Sequence, residues 1–435
     1  MNFAQLNHIL IPRTKSGRDR LRRGRIGRWL EPVLELYRCM TPEGKGALTL
    51  AFVAGALGLD IGATQIYVVP AALLGLLVAS ILVRRPFRLD GVAMTVSTAP
   101  RMAMGEEMTF SIRLENTGPR DHHAVRIGGP FLPWDGSFTG PQPTVASLPA
   151  GGSAMVWCRA RFLERGEHHL DPFRAGALDP IGLTLGPLIR SGECKFIVVP
   201  RIARIVRFAT PLARKYQPGG VALASKTGES MELSGVRPYR PGDPIRDLHA
   251  RTWARIGSPV VREYQEEYFT RIGVVLDIDR EVSDERTLEA ALSLAAGVLQ
   301  HLSRGEALID LLVVGDRVHT LTLGRSLGVL DQALDLLACA AAGPALRANE
   351  LAARLSEHLP RLSCVVFVAL AWDSERMQLV DRIRGSGVAC RTLLVEPAPA
   401  RGRAQARRPA QDAAAAKDLT RIATTAIEGS EPLWL

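Results

Sequence analysis

Residues 271–279 read RIGVVLDID, an unbroken apolar run of strand length that closes on two carboxylates. A run without polar alternation is the pattern of a strand buried on both faces, as in a parallel sheet. Downstream of it the pattern alternates. Residues 284–303 place Leu288, Leu292, Ala295, Leu299 and Leu302 on one helical face. ALIDLLVV (307–314) reads as a strand, 327–342 as a helix, CVVFVALA (364–371) as a strand, 374–385 as a helix, and 388–396 as the last strand. Strands alternating with helices predict a mostly parallel sheet covered on both faces, over 271–396. Ligands in such folds bind past the carboxyl ends of the strands, where Asp277, Asp279, Asp316 and Asp373 fall.

The stretch just upstream, 237–267, reads RPYRPGDPIRDLHARTWARIGSPVVREYQEE. Pro241-Gly242 suits the central positions of a type II turn. Arg251 and Arg255 share a face if the stretch from Pro244 is helical. The candidate binding residues are Arg237, Tyr239, Arg240, Pro241, Gly242, Asp243, Arg246, Arg251, Arg255, Arg262 and Glu263. Two readings are open for them. The arginines and the acids that close the stretch form an internal ion network that docks it on the sheet. Alternatively they form an exposed basic face that recognises an acidic partner.

The chain has 435 residues, 47% hydrophobic and 23% charged, with a formal charge of +10. That length supports roughly two to three domains. The positive excess invites nucleic acid, an anionic membrane surface or an acidic protein. Much of it lies in Arg13, Lys15, Arg18, Arg20, Arg22, Arg23, Arg25 and Arg28, with more at Arg84, Arg85 and Arg88. These flank the apolar stretch 46–83, which is read as a two-helix transmembrane hairpin turning at Asp60–Gln65. Positive charge on both outer sides puts the arm (1–45) and everything after Arg84 in the cytoplasm. The expected location is thus the inner membrane, with the lipid bilayer as a partner. No aromatic interleaving or reader motif accompanies the basic arms, so no nucleic acid is expected. The six cysteines are scattered and form no CxxC pair, as expected of reduced, buried thiols.

Residues 90–201 change pattern to short alternating runs broken by Gly and Pro turns, which predicts an immunoglobulin-like β-sandwich. Gly220–Thr227, GVALASKT, imitates a phosphate loop, but Ser225 replaces its second glycine and no helix pattern comes after it. Residues 397–435 open with PAPARGRAQARRPAQDAAAA and read as a low-complexity tail.

Three segments together resemble one bacterial family, the proteins with domain of unknown function 58. In the 202–270 segment, Arg237, Tyr239, Pro241, Gly242, Asp243, Arg246, Leu248, Ala254 and Arg255 match its core pattern, succeeded by Val261, Arg262, Glu263, Tyr264 and Glu267. Ala250 stands where the family usually has Trp. Within RGEHHLDPFRAGALDPIGL (165–183), Arg165, Gly166, Leu170, Asp179, Pro180, Gly182 and Leu183 match a second pattern. Paired apolar segments ahead of the β domain also fit.

The resemblance implies a β domain that precedes a von Willebrand factor A-like domain, and work alongside a MoxR-type AAA+ ATPase in maturing or assembling other complexes. Domains of that type often carry a D-x-S-x-S site for Mg²⁺. Here the loop reads Asp277-Ile278-Asp279-Arg280-Glu281, without either serine. Asp277, Asp279 and Asp373 are the acids that would hold such an ion. The expected function is a membrane-anchored adaptor or chaperone-like interaction protein, not an enzyme. The competing expectation is a metal-dependent ligand-binding or hydrolytic protein that uses those aspartates, and a weaker one is nucleic-acid binding through the basic arms.

Overall fold

The computed structural model describes residues 17, 20, 24, 33–57, 67–133, 135–210, 232–265, 271–282, 284–305, 308–314, 318–323, 327–343, 345, 347–397 and 419–435. The chain forms two compact units, Met1–Arg201 with Leu334–Cys339, and Ile202–Ala333 with Ala340–Leu435.

The first unit opens with two apolar helices, α1 (Pro42–Leu57) and α2 (Val68–Val83). Each has 16 residues. At 1.5 Å per residue each is about 24 Å long, short of the roughly 30 Å hydrocarbon core of a bilayer. Among the described residues, no helix is long and apolar enough to cross a membrane. The structure therefore corrects the expected transmembrane hairpin over 46–83 and the membrane-anchored architecture built on it. The inner-membrane location loses its support with it. The expected turn at Asp60–Gln65 lies outside the described residues. The apolar composition is real, but it is divided between two shorter helices. Leu50, Phe52, Val68, Val69 and Leu82 are exposed, while Ala51, Leu77 and Ser80 are buried.

Eleven short strands come next: β1 (Val92–Ser97), β2 (Arg101–Ala103), β3 (Glu107–Asn116), β4 (His122–Gly128), β5 (Gly136–Phe138), β6 (Thr144–Leu148), β7 (Ser153–Phe162), β8 (Gly166–Leu170), β9 (Arg174–Ala177), β10 (Ile189–Arg190) and β11 (Cys194–Val199). They form sheets of order β1-β3-β7-β5, β10-β9-β4-β6 and β2-β11-β8. Period-2 alternation sets the inner faces. Met108, Phe110, Ile112 and Leu114 of β3 point inward. They share one core with Val125 and Ile127 of β4 and with Phe162, Phe173 and Phe196. The Phe110 ring lies 5.4 Å from that of Phe173 and 6.0 Å from that of Phe196. Adjacent histidines face opposite ways, with His122 and His168 turned inward.

The helical pair is fixed to these sheets by the segment Asp179-Pro180-Ile181-Gly182-Leu183-Thr184. Asp179 Oδ1 accepts from the backbone N–H of Gly182 (2.9 Å) and of Thr184 (3.1 Å), closing the turn. The buried Ser80 hydroxyl of α2 donates to Asp179 Oδ2 and lies 2.8 Å from Thr184 Oγ1. Thr41, just ahead of α1, donates from its N–H to the Leu183 carbonyl (3.1 Å) and from Oγ1 to the Gly182 carbonyl (2.9 Å). Its Oγ1 also accepts from the Gly44 N–H at 3.0 Å, which caps the helix.

The second unit adds β12 (Ile205–Arg207), β13 (Glu232–Pro238), α3 (Ala250–Ile256), β14 (Val260–Gln265), β15 (Arg271–Asp277), α4 (Glu285–Leu302), β16 (Leu308–Val314), β17 (Val318–Leu323), the start of α5 (Leu327–Cys339, counted with the first unit from Leu334), α6 (Ala348–Leu355), β18 (Cys364–Ala369), α7 (Ser374–Gly385), β19 (Ala389–Glu396), β20 (Leu419–Ala423), α8 (Thr424–Glu428) and β21 (Leu433–Trp434). Six strands form one sheet of order β17-β16-β15-β18-β19-β20. It is parallel except for β17. The run at 271–279 supplies its interior strand β15, buried along nearly its whole length.

Three features differ from the sequence reading. The edge strand β17 and the helix α6 are additional elements, each short, at six and eight residues. The low-complexity tail over 397–435 is narrower than expected. Residues 398–418 lie outside the described residues, and β20 beyond them is the sixth strand of the sheet.

Two helix glycines test the docking of α1. A Cβ on Gly44 would lie 2.1 Å from the Leu183 carbonyl oxygen, whereas one on Gly46 meets nothing within 4 Å. Gly46→Ala is expected to leave stability unchanged or raise it by up to about 1 kcal/mol, the ordinary helical preference for alanine. Gly44→Ala is expected to cost about 1–3 kcal/mol by prising the helix off its turn. Thermal unfolding of the two variants side by side checks the contrast, and equal effects would contradict the docking.

Candidate functional site

Two places gather the residues singled out in the sequence. The first is the carboxyl end of the parallel sheet. Asp277 ends β15 and Asp279 comes two residues later, while Asp373 precedes α7 and caps it by accepting from the Arg376 N–H at 3.0 Å. The structure brings these three aspartates together around one side chain. Arg376 donates from Nε to Asp277 Oδ2 (2.7 Å), from Nη2 to Asp279 Oδ2 (2.9 Å) and from Nη1 to Asp373 Oδ2 (2.6 Å). Its side chain is 1% exposed.

Backbone donors take up more of the carboxylate oxygens. The Leu370 N–H donates to Asp277 Oδ2 (3.2 Å), the Asp279 N–H to Asp277 Oδ1 (3.1 Å) and the Glu281 N–H to Asp279 Oδ1 (2.8 Å). A divalent ion needs such oxygens as ligands. As they stand they are occupied by N–H donors, and a guanidinium fills the place a cation would take, so this donor set does not fit Mg²⁺. Among the described residues, no group of three His, Cys, Asp or Glu side chains is placed to hold a metal ion. Asp316 lies outside the described residues.

Burial pushes the Asp277 carboxyl upward, against the lowering pull of Arg376. Burial also works against the charged guanidinium, but the surrounding carboxylates outweigh it and Arg376 is raised. The two directions agree. Each group holds its proton more tightly, the acid because burial disfavours its charged form and the arginine because the carboxylates around it favour its charge. Sequence reading misses Arg376. Its one signal is a basic residue three positions after an acid at a helix start.

The second place is the stretch 232–265. β13 and β14 pair antiparallel, with Arg237 opposite Val261 and Val236 opposite Arg262. Between them the chain turns at Arg240–Asp243. Gly242 has φ of 106°, and the Asp243 N–H donates to the Arg240 carbonyl at 3.0 Å. Only a residue without a Cβ takes this conformation at little cost. Asp243 locks the turn from inside. Its carboxylate accepts a fork from Arg237 (2.7 and 2.8 Å) and the Arg240 N–H (2.8 Å).

The remaining arginines separate from this lock. Arg240, Arg251, Arg255 and Arg262 are exposed. Arg246 is 83% exposed and has Asp247 at 3.9 Å, a loose contact. Ile245, Trp253 and Ile256 are exposed among them. Tyr239 is half-buried, its N–H bonded to the Pro259 carbonyl at 2.9 Å. Pro241 is exposed, and the side chain of Glu263 lies outside the described residues. The structure therefore gives Arg237 to the internal reading and turns the other arginines outward.

Comparisons with known proteins add little. No family model matches the chain, and no curated protein matches it. Among solved structures, it is similar to the SpRpn10 VWA domain, at 15% identity over 36% of this chain and 89% of that one, with a TM-score of 0.23. It also matches native α2-macroglobulin of Escherichia coli, from domain MG7 to the C-terminus, at 13% identity. That match covers 27% of this chain and 20% of that one, with a TM-score of 0.20. The CARDB domain of PF1109 from Pyrococcus furiosus matches at 9% identity over 25% and 92%, with a TM-score of 0.17. The likeness to a von Willebrand factor A domain is thus distant, and at these TM-scores none of the three bears on function.

Two measurements probe these places. Arg376→Met should cost about 3–5 kcal/mol near neutral pH, because it strands buried carboxylates. With the Arg376 pull gone, Asp277 is raised further. The stability its protonated form supplies is present below the ordinary carboxylate range and is lost as pH rises through the raised folded value. The deficit against wild type should therefore shrink at pH 5 relative to pH 8 in urea unfolding, and a pH-independent deficit would refute the account. For the turn, the Arg237 fork and then the Arg240 N–H hold the Asp243 carboxyl down to about 2. An NMR titration should find it there in the wild type, and Arg237→Ala should return it towards 3.8.

Proposed function

We propose that this chain is an adaptor or chaperone-like interaction protein that docks an acidic partner surface on its 232–265 segment. One observation supports the reading above others. The segment spends a single arginine, Arg237, on its own turn and holds Arg240, Arg246, Arg251 and Arg255 outward around Ile245, Trp253 and Ile256. Arginine beside an exposed aromatic and aliphatic residues is the composition of protein–protein hot spots. Exposed like charges on one projection steer an oppositely charged partner and set its orientation. The positions that match the domain of unknown function 58 family fall on this same segment, and membership of that family is part of the proposal. The partner the resemblance implies is a MoxR-type AAA+ ATPase, and the role is the maturation or assembly of other protein complexes. The sheet-end aspartates favour this reading over metal-dependent hydrolysis, because their oxygen atoms are spent on Arg376 and backbone N–H groups.

The test is surface plasmon resonance between the full chain and a MoxR-type ATPase from the same genome. Binding should weaken as salt rises, mainly through a slower on-rate. Arg251→Glu with Arg255→Glu should weaken it roughly tenfold or more, and Trp253→Ala should speed dissociation, all without changing the melting temperature. No measurable binding, or binding indifferent to these charges, would overturn the proposal.

A further inference from the structure

The first unit holds a cleft of about 460 Å³. Its wall is made by the start of α1 on one side and by the ends of β4, β6 and β9 on the other. Four cations line it: Arg38, Lys45, Arg126 and Arg174. They come from separate places along the chain, so no local repeat or charge run explains their meeting. One carboxylate accompanies them, that of Glu43, which Arg126 contacts at 2.9 Å. The lining therefore carries four cationic side chains and one carboxylate, and Arg38 and Arg174 have partners of their own besides.

Converging like charges in a concave site cost free energy, since low-dielectric walls strengthen their repulsion. Burial lowers the pKa of Lys45, and its ammonium lies 4.3 Å from the centroid of the Tyr37 ring. The N-terminus of α1, a helix of 16 residues, adds its positive dipole end at Pro42 and Glu43. Thr144 and Gln142 supply neutral polar groups to the same wall. The volume is that of a small-molecule site. Guanidinium forks match the oxygens of phosphate, and three arginines with a lysine on one lining suit a dianion better than a single carboxylate.

We propose that this cleft binds a phosphate monoester or diphosphate group, carried by a soluble metabolite or by a lipid headgroup. The inference is independent of the acidic protein partner, whose docking segment belongs to the other unit. Thr144 offers a clean block. It is exposed, and it sits opposite Arg126 in the β4–β6 register, so Thr144→Glu places a carboxylate against the cations without emptying any core. Lys45→Gln removes one cation from the opposite wall.

Calorimetry of the full chain with pyrophosphate and with glycerol 1-phosphate tests the soluble source. Co-sedimentation with phosphatidic acid vesicles, against phosphatidylcholine vesicles, tests the headgroup. Saturable binding in either arm, weakened at least roughly tenfold by Thr144→Glu and by Lys45→Gln with an unchanged melting curve, supports the site and names its source. Arg251→Glu should leave this binding intact. No binding in either arm up to about 10 mM, or binding that survives both cleft variants, would overturn it.

Discussion

Arg376 is the interaction on which the end of the parallel sheet depends. Three carboxylates converge there because the end of β15, the loop after it and the start of α7 all lie at the carboxyl end of the sheet. Brought together without a cation, buried aspartates would repel one another and lack solvation. A guanidinium answers both needs with its planar fork, giving one hydrogen bond to each acid. The same position in an α/β sheet is where ligands usually bind. Here it is closed by the chain's own side chain. The closure is structural in its energetics, since removing one partner of a buried ion network costs more than the network contributes net.

A comparable constraint holds the first unit together. The turn from Asp179 to Thr184 carries no chemistry, although its residues are the kind that a sequence pattern singles out. Its role is geometric. Asp179 shapes the turn through two backbone N–H groups, and the exposed carbonyls of Gly182 and Leu183 receive Thr41. A serine inside an otherwise apolar helix then completes the contact. Buried polar groups must be paired, and such pairing fixes one docking arrangement where apolar contact alone would allow several.

The 232–265 segment combines the two kinds of role in one short stretch. Its Pro-Gly-Asp turn is stabilised from within by Arg237, which makes a small, rigid platform. Among the described residues, the side chains of Arg240, Arg251 and Arg255 take no part in that lock. Rigid presentation lowers the entropy lost on binding, which is why a locked turn beside exposed arginines reads as a recognition device.

Sequence alone determined the parallel sheet, because an apolar run between helical repeats has few other homes. It also determined the alternating strands of the first unit and the Pro-Gly turn, since these signals are local in period or in backbone preference. It placed Asp277, Asp279 and Asp373 at one sheet end for the same reason. Tertiary structure alone decided what those acids do. Arg376 lies 99 residues from Asp277, and a pairing across that distance leaves no periodic trace. The apolar stretch at 46–83 shows the same limit. The sequence already divided its apolar residues into two segments, but only the folded chain limited each to a helix of 16 residues and tied the pair to the Asp179 turn. Likewise, only the folded chain showed that Arg237 pairs with Asp243 while Arg240, Arg246, Arg251 and Arg255 are exposed. Local propensity can be read residue by residue, whereas the partner of a charge is set by the path of the whole chain.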